Sequence, residues 1–188
     1  MKIEISSRWM VVGLFVIFET VMLVAFNSQT DRNRATIVFG ATVIAGAFAL
    51  YTYLQGIEER RAQHAHQIIQ RWNSAEMLPM RLVLREITED RLDPDTLKRS
   101  ARGEISAETD EKRGCLVTIL NFYEEMAIAA LQKSANEDRL YEFFDAIVGK
   151  SASKLLGWIE HEQRLDNEPD YYCEFLKLTA RWRQRKRA

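Results

Sequence analysis

Cysteine, proline and glycine are all scarce in this chain of 188 residues, which has two cysteines, three prolines and eight glycines. Cys115 and Cys173 alone do not make the multi-bridge framework that staples small exported domains. Runs of alternating apolar and polar residues are almost absent, which argues against sheet structure. Neither charge sign dominates, and the formal net charge is −1. There is no glycine-rich phosphate loop in either usual spacing. His161-Glu162 opens like a zinc-protease motif, but position 165 is leucine and the second ligand is missing. No Glu-x-x-His pair exists for a di-iron bundle, because Arg61, Gln63 and Trp158 stand three residues before His64, His66 and His161. His64 and His66 are two apart and diverge on a helix, as do the adjacent Glu124 and Glu125, which read as a solvated edge. These absences leave no candidate catalytic group, metal ligand, cofactor site or small-molecule substrate, and they point to a protein that is not an enzyme.

What the chain does have is two apolar runs almost back to back. They are Trp9–Phe26 and Ala35–Leu54, separated by the eight residues Asn27 to Arg34. A helix crosses the hydrocarbon of a bilayer with about 20 apolar residues. So short a link forces an antiparallel hairpin. A signal peptide would have a shorter apolar core and a cleavage site after small residues. The first run instead carries Glu19 and ends at Phe26-Asn27. Two core helices apolar on every face would need a far larger soluble domain around them. The expectation is therefore a transmembrane hairpin over residues 1–56 and a separate helical domain over 57–188.

Lys2 and Arg8 precede the first run, Arg60, Arg61 and Arg71 follow the second, and the link carries Arg32 and Arg34. Positive flanks mark the cytoplasmic side. Five against two favours two spans with both termini in the cytoplasm, and the expected setting is a bacterial inner membrane or an equivalent.

From residue 57 the surface is nearly balanced, 22 Lys and Arg against 24 Asp and Glu. The pattern predicts an all-α bundle. The second span continues as a helix through Gln55–Trp72, and Pro79 marks a break near Glu76–Pro79. Met80, Leu84 and Ile87 recur at helical spacing, and Asp93-Pro94 reads as a helix start. Ser100–Asp110 reads as a loop. The strongest helix spans about Asp110 to Lys133, with Cys115, Ile119, Phe122 and Met126 on one stripe. A packed Cys115 is preferred there over a nucleophilic one. Asn136 can cap a helix with Leu140, Phe144 and Ile147 on its buried face and Gly149 as its stop. A further helix is expected over Ser151–Arg164, and a last one opening at Pro169 with Tyr171, Phe175, Leu178 and Trp182 inward.

Three features bear on function. Glu19 lies near the depth of Thr42 and Gly46. It is either a protonated carboxyl bonded to a neighbouring helix or a pore-facing carboxylate in an oligomer. Ala41, Ala45 and Ala49 repeat every four residues beside Thr42 and Gly46, a spacing that lets helix backbones approach within the hairpin or between copies, and it points to a homo-oligomer. Arg181, Arg183, Arg185, Lys186 and Arg187 form a basic tail suited to a helix C-terminus, to anionic lipid or to nucleic acid.

Trp72-Asn73, Leu120-Asn121-Phe122-Tyr123-Glu124-Glu125-Met126-Ala127 and the stretch from Asn167-Glu168-Pro169 to Trp182 resemble a bacterial helical domain of unknown function over roughly residues 72–182. Behind two membrane helices, the build resembles the transmembrane effectors of anti-phage systems, particularly the two-helix effector of some retrons. That resemblance implies a role in abortive infection. A reverse transcriptase and its RNA–DNA product would act as inhibitory partners, and the bilayer would be the target. It transfers no catalytic residue. The competing expectation is a membrane-tethered adaptor that docks a cytoplasmic partner without membrane damage.

Overall fold

A computed structural model describes residues 20, 31–98 and 106–187, with side chains described at Thr20 and from residue 38 onward. Every regular element among them is helical, so the fold is all-α. Of the first apolar run only Thr20 falls within the described residues, and Glu19 lies outside them. The chain divides into two units, Met1–Gly56 and Ile57–Ala188.

Helix α1 (Asp31–Asn73) runs unbroken through the second apolar run and the polar stretch after it. In the first unit Val38, Phe39, Val43, Leu50, Tyr53 and Leu54 are exposed. The hydroxyls there stay inside the helix: Thr42 Oγ1 donates to the Val38 carbonyl at 2.9 Å and Thr52 Oγ1 to that of Ala49 at 2.9 Å. These two hydroxyls therefore need no partner from outside the helix. Two described helices are long and apolar enough to cross a membrane, which fits a membrane location: α1 from Val38 onward and α3 (Ala107–Leu131). They differ in surroundings. None of the apolar window of α1 is buried, whereas half of that of α3 is.

The second unit is a bundle. The last turns of α1 contribute Ala65, Ile68 and Trp72 to its core. The helix stops at Asn73, and α2 (Leu78–Thr88) restarts with Pro79 in its first turn, where the missing N–H has no helical acceptor to lose. Its buried face is Val83, Leu84 and Ile87. The helix expected at Asp93-Pro94 lasts one 3₁₀ turn, Pro94–Leu97, with Asp93 Oδ1 accepting from the Asp95 amide at 2.9 Å. α3 starts three residues before Asp110, because Ser106 Oγ accepts from the Thr109 amide at 3.2 Å and Glu108 and Asp110 suit the positive end of the helix dipole. α3 packs against α2, α4 (Glu137–Asp166) and α5 (Cys173–Arg185). Its buried stripe is Leu116, Ile119, Leu120, Tyr123, Met126 and Ala127 together with Phe122, and Cys115 sits at the stripe's edge, only partly buried.

Two expected boundaries are overturned. Gly149 does not stop a helix: α4 is a single element of 30 residues that runs through it. An interior glycine costs about 1 kcal/mol against alanine. Continuing the helix buries Leu155, Trp158 and Ile159, each worth about 1.5–3 kcal/mol, so burial wins. Pro169 does not open the last helix either. It lies in the turn between α4 and α5, and α5 begins at Cys173 with Phe175, Leu178, Thr179 and Trp182 buried and Tyr171 outside. The start of α4 is as read: Asn136 Oδ1 accepts from the Arg139 amide at 3.0 Å, with Glu137 and Asp138 in the first turn. The Asn136 amide also donates to the Arg61 carbonyl at 2.9 Å, tying the α3–α4 turn to α1.

Gly149 is exposed, and a Cβ there would meet nothing within 4 Å. Gly149→Ala is therefore expected to stabilise the bundle by about 0.5–1 kcal/mol. Thermal unfolding would record the gain, and a lower transition temperature would show that α4 needs flexibility at this point.

Candidate functional site

On α1 the small side chains form two neighbouring rows. Ala41 and Ala45 are partly covered, while Ala49, Thr42 and Gly46 are exposed. A Cβ built on Gly40 or Gly46 would meet nothing within 4 Å, so no contact among the described residues requires their smallness. Ala41, Thr42, Ala45, Gly46 and Ala49 thus occupy one helix as the spacing requires.

The basic tail is largely engaged within the bundle. Arg181 pairs with Glu137 at 2.9 Å, Arg185 with Asp138 at 2.8 Å and Lys186 with Asp145 at 3.0 Å. The Arg185 guanidinium also sits 4.2 Å over the Tyr141 ring, and Trp182 Nε1 donates to Glu137 Oε1 at 3.2 Å. These contacts strap α5 along the N-terminal half of α4. Arg183 and Arg187 are exposed and have no carboxylate partner among the described residues.

A cavity of about 450 Å³ opens where α3, the end of α4 and the α4–α5 turn meet, lined by Arg113, Asn121, Glu124, Glu162, Asp170 and Tyr172 among others. The turn that walls it is held in an unusual shape. Asn167 ends α4 at φ 54°, and Tyr172 precedes α5 at φ 60°. Asparagine tolerates this left-handed region, but a bulky tyrosine adopts it only when its surroundings compel it. Two contacts compel it here. Gln163 Nε2 donates to the Tyr171 carbonyl at 2.7 Å. The Glu124 carboxylate, reaching across from α3, accepts from the amides of Glu174 at 3.1 Å and Phe175 at 2.7 Å. Glu124 thereby caps a helix to which it does not belong, and its charge suits the positive end of that helix.

Deeper in the cavity the Arg113 guanidinium lies 3.4 Å from Glu162, whose side chain is 5 % exposed. Removing one member of such a buried pair leaves the other charge uncompensated. Burial, followed by the nearby Glu162 charge, pushes the Tyr172 phenol up. The charged groups with visible roles here position the turn and the helices around it.

The histidines are dispersed. His64 Nδ1 lies 3.2 Å from the Ser134 carbonyl, and His66 bonds Gln70 at 2.9 Å. No group of three His, Cys, Asp or Glu placed to hold a metal exists among the described residues. Glu125 leaves Glu124 behind and pairs with Arg71 at 2.6 Å. The sequence reading of these two as a solvated edge missed the cap, because the amides that Glu124 serves are fifty residues away in the chain.

A family described as a domain of unknown function, DUF4760, matches residues 36–182. The chain belongs to that family. The DUF4760 match begins inside the apolar segment of α1, so the family's domain takes in the second apolar run and extends well before the residue 72 at which the sequence resemblance starts. No curated protein and no solved structure matches the chain.

Glu124→Ala is expected to destabilise the bundle by about 1.5–3 kcal/mol, the range for a hydrogen bond to a charged group. Glu124→Gln keeps one acceptor and should restore part of the loss. Unchanged thermal unfolding of the alanine variant would show that the α5 terminus needs no carboxylate. Burial also pushes both thiols up, with Glu111 adding to the effect at Cys115. A raised pKa means less thiolate at any given pH. Alkylation of Cys115 and Cys173 near neutral pH should therefore lag behind a free cysteine peptide and keep accelerating beyond the ordinary thiol range. Fast labelling at neutral pH would instead identify an activated thiolate.

Proposed function

We propose that this chain is a non-enzymatic effector of the bacterial inner membrane, whose helical bundle is the regulatory part and whose apolar segments perturb the bilayer when inhibition is lifted. The observation that carries the reading is the apolar stretch of α1, which has no buried residue in its membrane-length window. Side chains such as Val38, Phe39 and Leu50 gain nothing from being left in water. The rows of Ala41, Ala45 and Ala49 and of Thr42 and Gly46 add a surface on which copies of the helix can pack closely. The excess of Lys and Arg at Lys2, Arg8, Arg60, Arg61 and Arg71 over Arg32 and Arg34 supports two spans with both termini in the cytoplasm.

The proposed partners are the lipid bilayer, further copies of the chain and an inhibitory complex. On the resemblance to retron effectors, that complex is a reverse transcriptase with its RNA–DNA product, and the setting is abortive infection in anti-phage defence.

Expressed alone, the full chain should accumulate in the membrane fraction, collapse the membrane potential and arrest growth. Ala45→Leu crowds the small face and should reduce depolarisation without lowering membrane content. Glu19→Leu should change the conductance if that carboxyl faces water and leave it unaltered if the carboxyl bonds a neighbouring helix. Reporter fusions at Gln29 and at the C-terminus should report opposite sides. A potential-sensitive dye together with a membrane-fraction blot reads the first outcomes. Wild-type protein that fills the membrane with no loss of potential would overturn the effector reading and leave the tethered adaptor.

A further inference from the structure

Most cations of the bundle face an acid: Arg71 meets Glu125, Lys112 meets Glu86 and Glu108, and Arg181 meets Glu137. Among the cations that depart from that pattern, three gather at one cavity. At the join of α1, α2 and α4 lies a cavity of about 310 Å³ with Trp72, Leu84 and Ile147 in its wall and Arg81, Arg85 and Lys150 around it, and no carboxylate among the described residues lines it.

Arg81 and Lys150 have no carboxylate partner among the described residues, and Arg85 has a distant, shared one. Arg81 Nη1 donates to the Trp72 carbonyl at 2.6 Å and, more weakly, to Asn73 Oδ1 at 3.5 Å. Both acceptors are neutral, so the guanidinium is fixed in place without being neutralised. Among the described residues Arg85 reaches only Glu89, at 3.8 Å, and Glu89 is engaged more closely by Arg91. Lys150 has no ion-pair partner among the described residues. Arg81 and Arg85 stand at i and i+4 on α2, a spacing at which like charges repel. Lys150 is brought in from α4. Because acids outnumber bases in this half of the chain, general basicity does not account for the concentration of charge.

We propose that this cavity is a phosphoanion site. A phosphate group sits among Arg81, Arg85 and Lys150, and the organic part of the ligand lies against Trp72, Leu84 and Ile147. Guanidinium forks match phosphate oxygens in pairs, and lysine adds a point charge. The volume suits a small phosphorylated molecule, at the lower end of ligand pockets. The proposal stands independently of membrane activity.

The test uses the full chain in uncharged detergent, with calorimetric titration of pyrophosphate and of ATP and, in a separate arm, of phosphatidylglycerol vesicles against neutral ones. Saturable binding is expected. The double variant Arg85→Glu/Lys150→Glu should weaken it by about tenfold or more, since each charge-assisted contact carries about that factor. Both substituted side chains are exposed, so folding should survive, and thermal unfolding would confirm it. Lys150→Arg should retain binding. In the pyrophosphate and ATP arms Arg183→Glu/Arg187→Glu, which alters exposed cations elsewhere, should not change it. A response to pyrophosphate or ATP identifies a soluble phosphoanion. A response to anionic vesicles alone, lost in the same double variant, identifies a lipid headgroup as the source of the phosphate. Absence of saturable binding in every arm, or equal loss in the two double variants, would overturn the site.

Discussion

Trp72 closes α1 on three rings at once: Phe122 at 5.3 Å, Tyr123 at 5.8 Å and Phe144 at 5.7 Å between centroids. Tyr123 in turn stacks on Phe175 at 5.0 Å. One aromatic cluster therefore draws on α1, α3, α4 and α5, and such pairs contribute about 0.5–1.5 kcal/mol each beyond the area they bury. The Trp72 carbonyl accepts from Arg81, which brings α2 to the same residue. The neighbouring Arg71 lies over Phe122 at 5.6 Å and pairs with Glu125. Much of the rest of the bundle is arranged around this point, where a long helix ends and its last turn is buried among side chains from the others.

Local signals in the sequence fared well where the responsible chemistry is itself local. Asn136 caps the helix that follows it, Pro79 restarts a helix after a break, and the continuation of the second apolar run to Trp72 reads directly from its pattern. The misjudged boundaries have a different origin. Gly149 is a local stop signal outweighed by core residues on both sides of it. Pro169 is a local start signal outweighed by Glu124, which sets the start of α5 from another helix. Ser106 is hidden among small polar residues that look like loop, although its hydroxyl and the acids after it spell a helix start. The stripe on α3 was legible to within part of a turn, enough to find Phe122 and Tyr123 but not to place Cys115 at the margin.

The candidate sites divide along the same line. The small-residue rows on α1 follow from periodicity alone. The carboxylate-lined cavity and the cation-lined one combine residues from separate helices, at spacings in sequence that carry no motif. Charge is also used differently at the two ends of the bundle. The cations at the end of α5 are matched by acids at the start of α4, whereas Arg81, Arg85 and Lys150 are left with neutral or distant partners. A chain with near-zero net charge thus still builds local fields of both signs.

Glu124 also bears on how the molecule is made. A helix of 13 residues is marginal in water on its own. The amides at the start of α5 find their acceptor on α3, which leaves the ribosome some fifty residues earlier. During synthesis the residues that line the place of Phe175, and the carboxylate that receives the α5 amides, are therefore made before the segment that meets them.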